Sequence, residues 1–141
     1  MNRRIYVAIP YTRVADRSFE MANRAAYEII KHGDIPLSPI SMSHPIVLAS
    51  ISDGKYEEEL LGTWEVWSKI DYAFIDWAEE IWVVCMERQL VKDSVGVQAE
   101  LEYGRKHGKV IRYVGVEYSG DIEENDYEFK WPTQDYDIKT S

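Results

Sequence analysis

The sequence predicts a single α/β domain, a three-layer sandwich around a mostly parallel sheet of four or five strands. Three observations carry this reading. The β-prone runs Ile5–Ile9, Ile81–Cys85 and Val110–Val114 are almost continuously apolar, as strands covered on both faces are. Segments of helical period separate them. The resulting order of strand, helix and strand requires crossovers, and therefore parallel pairing. At 141 residues the chain has the length of one domain with a full core.

Taken in order, Ile5–Ile9 starts almost at the first residue and Pro10 ends it. After the loop 11–15 a helix is expected from about Asp16, its cap, to Lys31. Phe19, Ala22, Ala26, Ile29 and Ile30 form its apolar stripe, and Gly33 stops it. Ile35–Ser38 is a short second strand whose Pro36 points to an edge position. From Pro39 to Gly62, two prolines, scattered serines and the Ser52-Asp53-Gly54 turn signal predict a long loop with a short helix near Tyr56–Leu61. The next helix runs from about Thr63 to Trp77, with Trp64, Trp67, Asp71, Phe74, Ile75 and Ala78 on one face and Glu65, Lys69, Tyr72 and Asp76 on a solvated one. After the third strand a loop is expected over Met86–Asp93, then a helix to about His107 that Gly108 ends, then the fourth strand. The tail from Glu117 is acidic and turn-rich, and Tyr127–Trp131 reads as a fifth strand or as an interface segment. Residues 1–132 make the expected domain and 133–141 a flexible acidic tail. The architecture is flavodoxin-like or Rossmann-like; the pattern also allows a shorter mixed α+β sheet with an antiparallel tail strand.

Hydrophobic residues make up 45% and charged residues 29%, the balance of a soluble globular chain. A net charge of −9 argues against a nucleic-acid polymer or an anionic membrane as partner. It leaves room for a small anionic ligand held by local donors. The single Cys85 lies in an apolar run and has no internal disulfide partner, which fits a reducing compartment. With no long apolar segment either, a cytoplasmic location is expected. There is no metal-spaced His, Cys or Asp cluster, no glycine-rich dinucleotide fingerprint, no P-loop and no nucleophilic Ser or Cys elbow, so neither metal nor cofactor is expected.

Two carboxylates interrupt apolar stripes. Ser94 is placed to cap a helix beginning at Val95, on which Val97, Glu100, Leu101 and Gly104 share the face that packs on the sheet. Side chains lean toward a helix N-terminus, so Glu100 overhangs the carboxyl edge of the sheet, where ligands bind in open α/β folds. Glu102, with Lys106 four residues on, is the solvated control. Asp71 is the second such carboxylate. The plainer reading of Glu100 is a core-edge carboxylate satisfied by backbone donors or an arginine. Ser94, the amides around Gly96 and the helix dipole suit a phosphate, with Arg13 closing over it and Arg17 as backup. For Arg17 a solvated helix surface is the simpler account. Trp64 and Trp67 have the spacing of core or interface residues, which leaves Tyr11 as the better stacking candidate. His44 lies in the expected long loop, available to a ligand or to a structural hydrogen bond.

Ile5–Thr12, Ser38-Pro39-Ile40 followed by His44-Pro45, the Trp64–Trp77 helix with Asp71, and Ser94-Val95-Gly96-Val97-Gln98-Ala99-Glu100 together resemble the nucleoside 2-deoxyribosyltransferase-like superfamily. The likeness spans roughly residues 4 to 115 and is nearest to a small branch of 2′-deoxynucleoside 5′-monophosphate N-glycosidase-like proteins. It implies Glu100 as nucleophile or its hydrolytic equivalent at the anomeric carbon, Asp71 assisting at the base or sugar, and Tyr6 holding that pair. It implies through Ser94, six residues before Glu100, a phosphate-bearing ligand. A homo-oligomer is implied as well, and the aromatic helix 64–77 offers it an apolar surface. The first loop Ile9-Pro10-Tyr11 departs from the small residues usual in relatives, and no C-terminal Asn matches the one some transferases lend to a neighbour, which favours hydrolysis over transfer. The expected function is cleavage of the N-glycosidic bond of a nucleotide. The alternative is a non-catalytic protein that senses or sequesters a nucleotide or NAD-derived signal.

Overall fold

A computed structural model describes residues 2–11, 15–52, 63–118 and 127–130. Within them the elements are β1 (Arg4–Ala8), α1 (Ala15–Lys31), β2 (Ile35–Leu37), α2 (Pro39–Ser52), α3 (Trp64–Trp77), β3 (Glu80–Cys85), α4 (Arg88–Asp93), α5 (Val95–Lys106), β4 (Val110–Tyr118) and β5 (Tyr127–Lys130). The sheet order is β2-β1-β3-β4-β5. β1 pairs parallel with β2 and β3, and β3 with β4, whereas β5 returns antiparallel along the end of β4. This is the flavodoxin-like order with one antiparallel edge, and Pro36 does lie on an edge strand.

Alternation along the strands divides the core into two layers. Ile5, Val7 and Ile9 face Met21, Ala22, Ala25 and Ile29 of α1, together with Trp82 and Val84. Tyr6 and Ala8 face the opposite way, toward Ile75 of α3 and Val97 and Leu101 of α5, together with Ile81 and Val83. Two glycines matter to this packing. Gly33 takes a positive φ of 83° and turns the chain from α1 into β2. Gly104 brings α5 so close to the sheet that a Cβ there would collide with Ile81.

The chain leaves β1 for α1 on one face and leaves β3 through α4 for α5 on the other. The connections diverge between β1 and β3, and so a crevice opens beyond the carboxyl ends of those strands, the usual ligand position in such sheets.

Several expectations are corrected. The long loop is instead helix α2 over Pro39–Ser52. Pro39 occupies the first helical position, where its missing N–H costs nothing, and Pro45 is tolerated on the exposed side. The expected helix near Tyr56–Leu61 and the tail 133–141 fall outside the described residues. Met86–Asp93 contains the short helix α4 rather than only loop. The buried stripe of α1 is Ser18, Met21, Ala22, Ala25 and Ile29, one step round from the expected one, which leaves Ile30 60% exposed. Phe19 turns sideways toward α2. Tyr72, expected to be solvated, is half-buried. No helix of the described residues is long and apolar enough to cross a membrane.

A charged cluster closes the amino edge of the sheet, opposite the crevice. Arg3 forms an ion pair of 2.8 Å with Asp34, whose side chain is only 2% exposed. Arg112 Nε donates to Glu80 Oε1 at 2.7 Å, and Trp82 Nε1 donates to the same oxygen at 3.0 Å. These bonds tie the chain before β1, the turn before β2, and strands β3 and β4 into one edge.

The Arg3 guanidinium beside Asp34 holds that carboxyl well below the usual carboxylate range. A depressed folded-state pKa contributes stability that is complete above the unfolded value of about 3.9 and is lost as pH falls toward the folded one. Asp34→Asn is therefore expected to cost about 2 kcal/mol in urea unfolding at neutral pH, with the difference shrinking on acidification below about pH 4.

Candidate active site

Tyr6 stands in the middle of β1, and alternation points its ring toward α3 and α5, where it is fully buried. Its hydroxyl donates a short hydrogen bond to Glu100 Oε2. Glu100 lies in the second turn of α5 and is 7% exposed. Ser94 starts that helix as expected: its Oγ accepts the Val97 N–H at 3.2 Å, so the hydroxyl still has its own proton to donate. Gly96 is one turn before Glu100 on the same side, and the Trp64 ring lies over it, 3.5 Å from where a Cβ would stand.

Asp71 comes from the second turn of α3. Its charge acts on both Glu100 and Tyr6, which groups the three side chains. An aromatic and polar seam keeps α3 and α5 in register. Tyr72 stacks on Tyr103 with centroids 4.2 Å apart and planes 2° from parallel, and Tyr103 stacks on His107 at 4.1 Å. The Tyr103 hydroxyl donates to Asp76 at 2.6 Å, and Lys109 Nζ to the Asp76 carbonyl at 3.0 Å. Sequence periodicity missed this seam because it placed Tyr72 and Asp76 on a solvated face. The (i, i+4) pair Tyr72 and Asp76 was the one available signal, since both meet the same ring of α5.

Burial pushes the Asp71 carboxyl up to about 7. Burial, and after it the charge of Asp71, pushes Glu100 up to about 8, while the hydrogen bond from Tyr6 acts in the opposite direction. The Tyr6 phenol is itself raised well above its usual value, by burial first and then by the two carboxylates. No described cation pairs with either carboxylate. Each carboxyl therefore holds its proton to higher pH than a solvated one does.

The structure thus joins Tyr6, Asp71 and Glu100, with Ser94 and Gly96 at the helix start above them. Two further candidates meet each other instead. Tyr11 Oη and His44 Nδ1 are 2.7 Å apart, and His44 belongs to α2 rather than to a loop. Arg17, in the first turn of α1, is half-buried, not the solvated surface residue of the simpler account. Its Nε is buried without a hydrogen-bond partner among the described residues. Arg13 lies outside the described residues. Among those described, no group of three His, Cys, Asp or Glu is placed to hold a metal ion.

A family model described as "Domain of unknown function (DUF1937)" matches residues 3–115. No functionally curated protein matches the chain. Among solved structures, a 2-deoxyribosyltransferase from the psychrotolerant bacterium Bacillus psychrosaccharolyticus superposes with a TM-score of 0.57 over 98% of each chain, at 17% identity. That protein is described as a biocatalyst for the synthesis of nucleosides. At this identity the likeness establishes a common fold.

The raised carboxyls carry a stability signature. A folded-state pKa above the unfolded one means that stability is complete below the unfolded value, about 4.3 for Glu, and declines as pH rises through the folded value. Glu100→Gln removes that decline. The variant is expected to melt a few degrees above the unsubstituted protein near pH 9, with the gap closing toward pH 5, in parallel thermal unfolding series.

Proposed function

The chain belongs to the DUF1937 family. We propose that it cleaves the N-glycosidic bond of a nucleoside 5′-monophosphate or a related nucleotide by hydrolysis. The observation that carries this reading is the buried Glu100 with Tyr6 donating to it, and the half-buried Asp71 whose charge acts on both. Burial raises Glu100 above Asp71, and the hydroxyl that Tyr6 donates to Glu100 opposes that rise by favouring the ionised form. This reading takes Glu100 as the reacting anion and Asp71 as the acid, the arrangement that the bond from Tyr6 favours.

The reaction then follows. As the C1′–N bond breaks, its electron pair goes to the base nitrogen, which takes the proton from Asp71. Glu100 faces the anomeric carbon and stabilises the developing oxocarbenium charge or forms a glycosyl ester with it. Water then adds at C1′, releases Glu100 and returns a proton to Asp71, giving free base and sugar phosphate. The low dielectric that raises both carboxyls also strengthens their action on the developing charge.

Two features support an anionic group on the ligand. At the start of α5, Ser94 keeps a hydroxyl proton and the helix dipole is directed at the crevice; on α1, across the sheet, Arg17 has a buried Nε without a described partner. A buried donor of this kind calls for an acceptor, and a phosphate oxygen is the acceptor this reading supplies.

Self-association belongs to the same reading, and α2 offers it an apolar surface in addition to that of the aromatic helix α3, whose Trp64 and Trp77 are exposed. Helix α2 contains no Asp, Glu, Lys or Arg, and its Met42, Ile46, Leu48 and Ile51 are each between 40% and 52% exposed. In a chain of net charge −9 this is a face on which two copies meet with least repulsion.

Two experiments test these statements. Incubated with nucleosides, nucleoside monophosphates and NAD derivatives, the protein is expected to release free base and sugar phosphate, detected by mass spectrometry, and Glu100→Gln or Asp71→Asn to slow release about 100- to 10,000-fold. A panel left intact by the unsubstituted protein overturns the enzyme, and a compound retained and recovered unchanged turns the reading to a binding protein. In sedimentation, the protein is expected to form a dimer that tightens with added salt, as like-charged partners do, and Ile46→Glu with Leu48→Glu to leave folded monomers. A dimer unaffected by those charges refutes the role of α2.

A further inference from the structure

Ser94 ends α4 and begins α5, and its own groups hold that elbow. Its N–H donates to the Val91 carbonyl at 3.3 Å, its carbonyl accepts the Gln98 N–H at 3.0 Å, and its Oγ accepts the Val97 N–H at 3.2 Å. The hydroxyl proton is the one donor that Ser94 has left. Because Oγ is already turned toward the Val97 N–H, the arc open to that proton is set by how α4 and α5 meet. Helix α4 is too short to set that angle by itself. It has six residues, and its last backbone bonds are long, 3.4 Å from the Val91 N–H to the Glu87 carbonyl and 3.3 Å at Ser94.

Gln98 supplies what α4 lacks. Its side chain reaches back seven residues, and Nε2 donates to the Val91 carbonyl at 2.9 Å, a shorter bond than any of the three that Ser94 makes in the elbow. A carbonyl only accepts, so the amide presents its nitrogen there. The acceptor belongs to a well-anchored residue, since Val91 is 5% exposed and packs in the layer of Val97 and Leu101. Gln98 itself is exposed. An exposed glutamine on a helix ordinarily stays solvated and keeps its rotamer freedom, whereas this one gives up that freedom for a bond that fixes the angle between two helices.

Resting on the nucleotide reading above, in which Ser94 meets an anionic group, we propose that Gln98 is a positioning residue for that group: by bracing the Val91 carbonyl it holds the elbow between α4 and α5 and so aims the Ser94 hydroxyl at the phosphate. Gln98 touches no ligand and acts only through Ser94. A hydroxyl held in place before the ligand arrives loses little freedom on binding, which is how the brace adds to affinity. Its effect falls on the binding of the phosphate and spares the bond-breaking step at Glu100, in the second turn of α5.

Cleavage rates on the full-length protein are compared for nucleoside 5′-monophosphates and for nucleosides of the same bases, with dissociation constants from equilibrium dialysis in the Glu100→Gln background. Gln98→Met, similar in length but without a donor, is expected to raise KM for the monophosphate about fivefold with kcat nearly unchanged, and so to lower the preference for monophosphate over nucleoside. Ser94→Ala is expected to lower that preference about tenfold, and the Ser94→Ala, Gln98→Met double variant to lower it no further. Losses that add, or that fall on nucleoside and monophosphate alike, overturn the proposal and reduce the bond to a structural brace, with thermal unfolding confirming that each variant is folded. A preference for the monophosphate that Gln98→Met leaves unaltered sinks this inference and leaves the proposed function standing. A protein that cleaves both classes without preferring the monophosphate takes the phosphate away from Ser94, and this inference with it. One that neither cleaves nor binds either class removes the proposed function as well.

Discussion

The hydrogen bond from Tyr6 to Glu100 is the constraint on which the rest of the crevice depends. A carboxylate inside a core is costly unless something favours its charge, and within this cluster Tyr6 is the group that does. For the bond to form, β1 must direct Tyr6 away from α1, α5 must begin at Ser94 so that Glu100 falls in its second turn, and α5 must lie very close to the sheet. The third condition accounts for Gly104, where a Cβ would collide with the terminal methyl of the fully buried Ile81. The stacked Tyr72–Tyr103 rings meet a parallel requirement for Asp71 by fixing how α3 slides along α5.

The two edges of the sheet treat buried acids in opposite ways. At the amino edge, Asp34 and Glu80 are matched by Arg3 and Arg112, so their charges are compensated and their contribution is to stability. At the carboxyl edge, Asp71 and Glu100 have no described cation beside them, and burial raises both. The same strands thus carry a closed electrostatic arrangement at one end and an open one at the other. Carboxylates raised in this way and left uncompensated destabilise the fold at alkaline pH.

The features legible in the sequence were those written in local periodicity. Glu100 and Asp71 stood out because each breaks an apolar stripe of helical period, and Ser94 because a cap precedes such a stripe. The central strands were plain because they are covered on both faces and therefore lack polar alternation. Helix α2 was hidden for a related reason. It is apolar around most of its circumference, so it shows no amphipathic period, and its two prolines and four serines imitate a loop. The one-step error in α1 arose because Phe19 and Ile30 are as hydrophobic as the residues that do face the sheet; Phe19 packs on His44 instead, a partner from another element that no local pattern names. The amino-edge ion pairs are equally invisible locally, since Arg3 and Asp34 are 31 positions apart.

Correcting α2 changes the chemistry that can be assigned to the crevice. A flexible loop over 39–62 would have left His44 free to meet a ligand and Tyr11 free to stack on a base. As part of a helix packed on α1, His44 is instead enclosed, and Tyr11 is held by it through its hydroxyl. The first loop, with Ile9-Pro10-Tyr11 in place of small residues, then has a physical role. Pro10 ends the strand and its carbonyl accepts a hydrogen bond from Ser18, which fixes the backbone from which Tyr11 projects. The bulk that departs from the expected loop is therefore anchored at both residues, Pro10 by Ser18 and Tyr11 by His44.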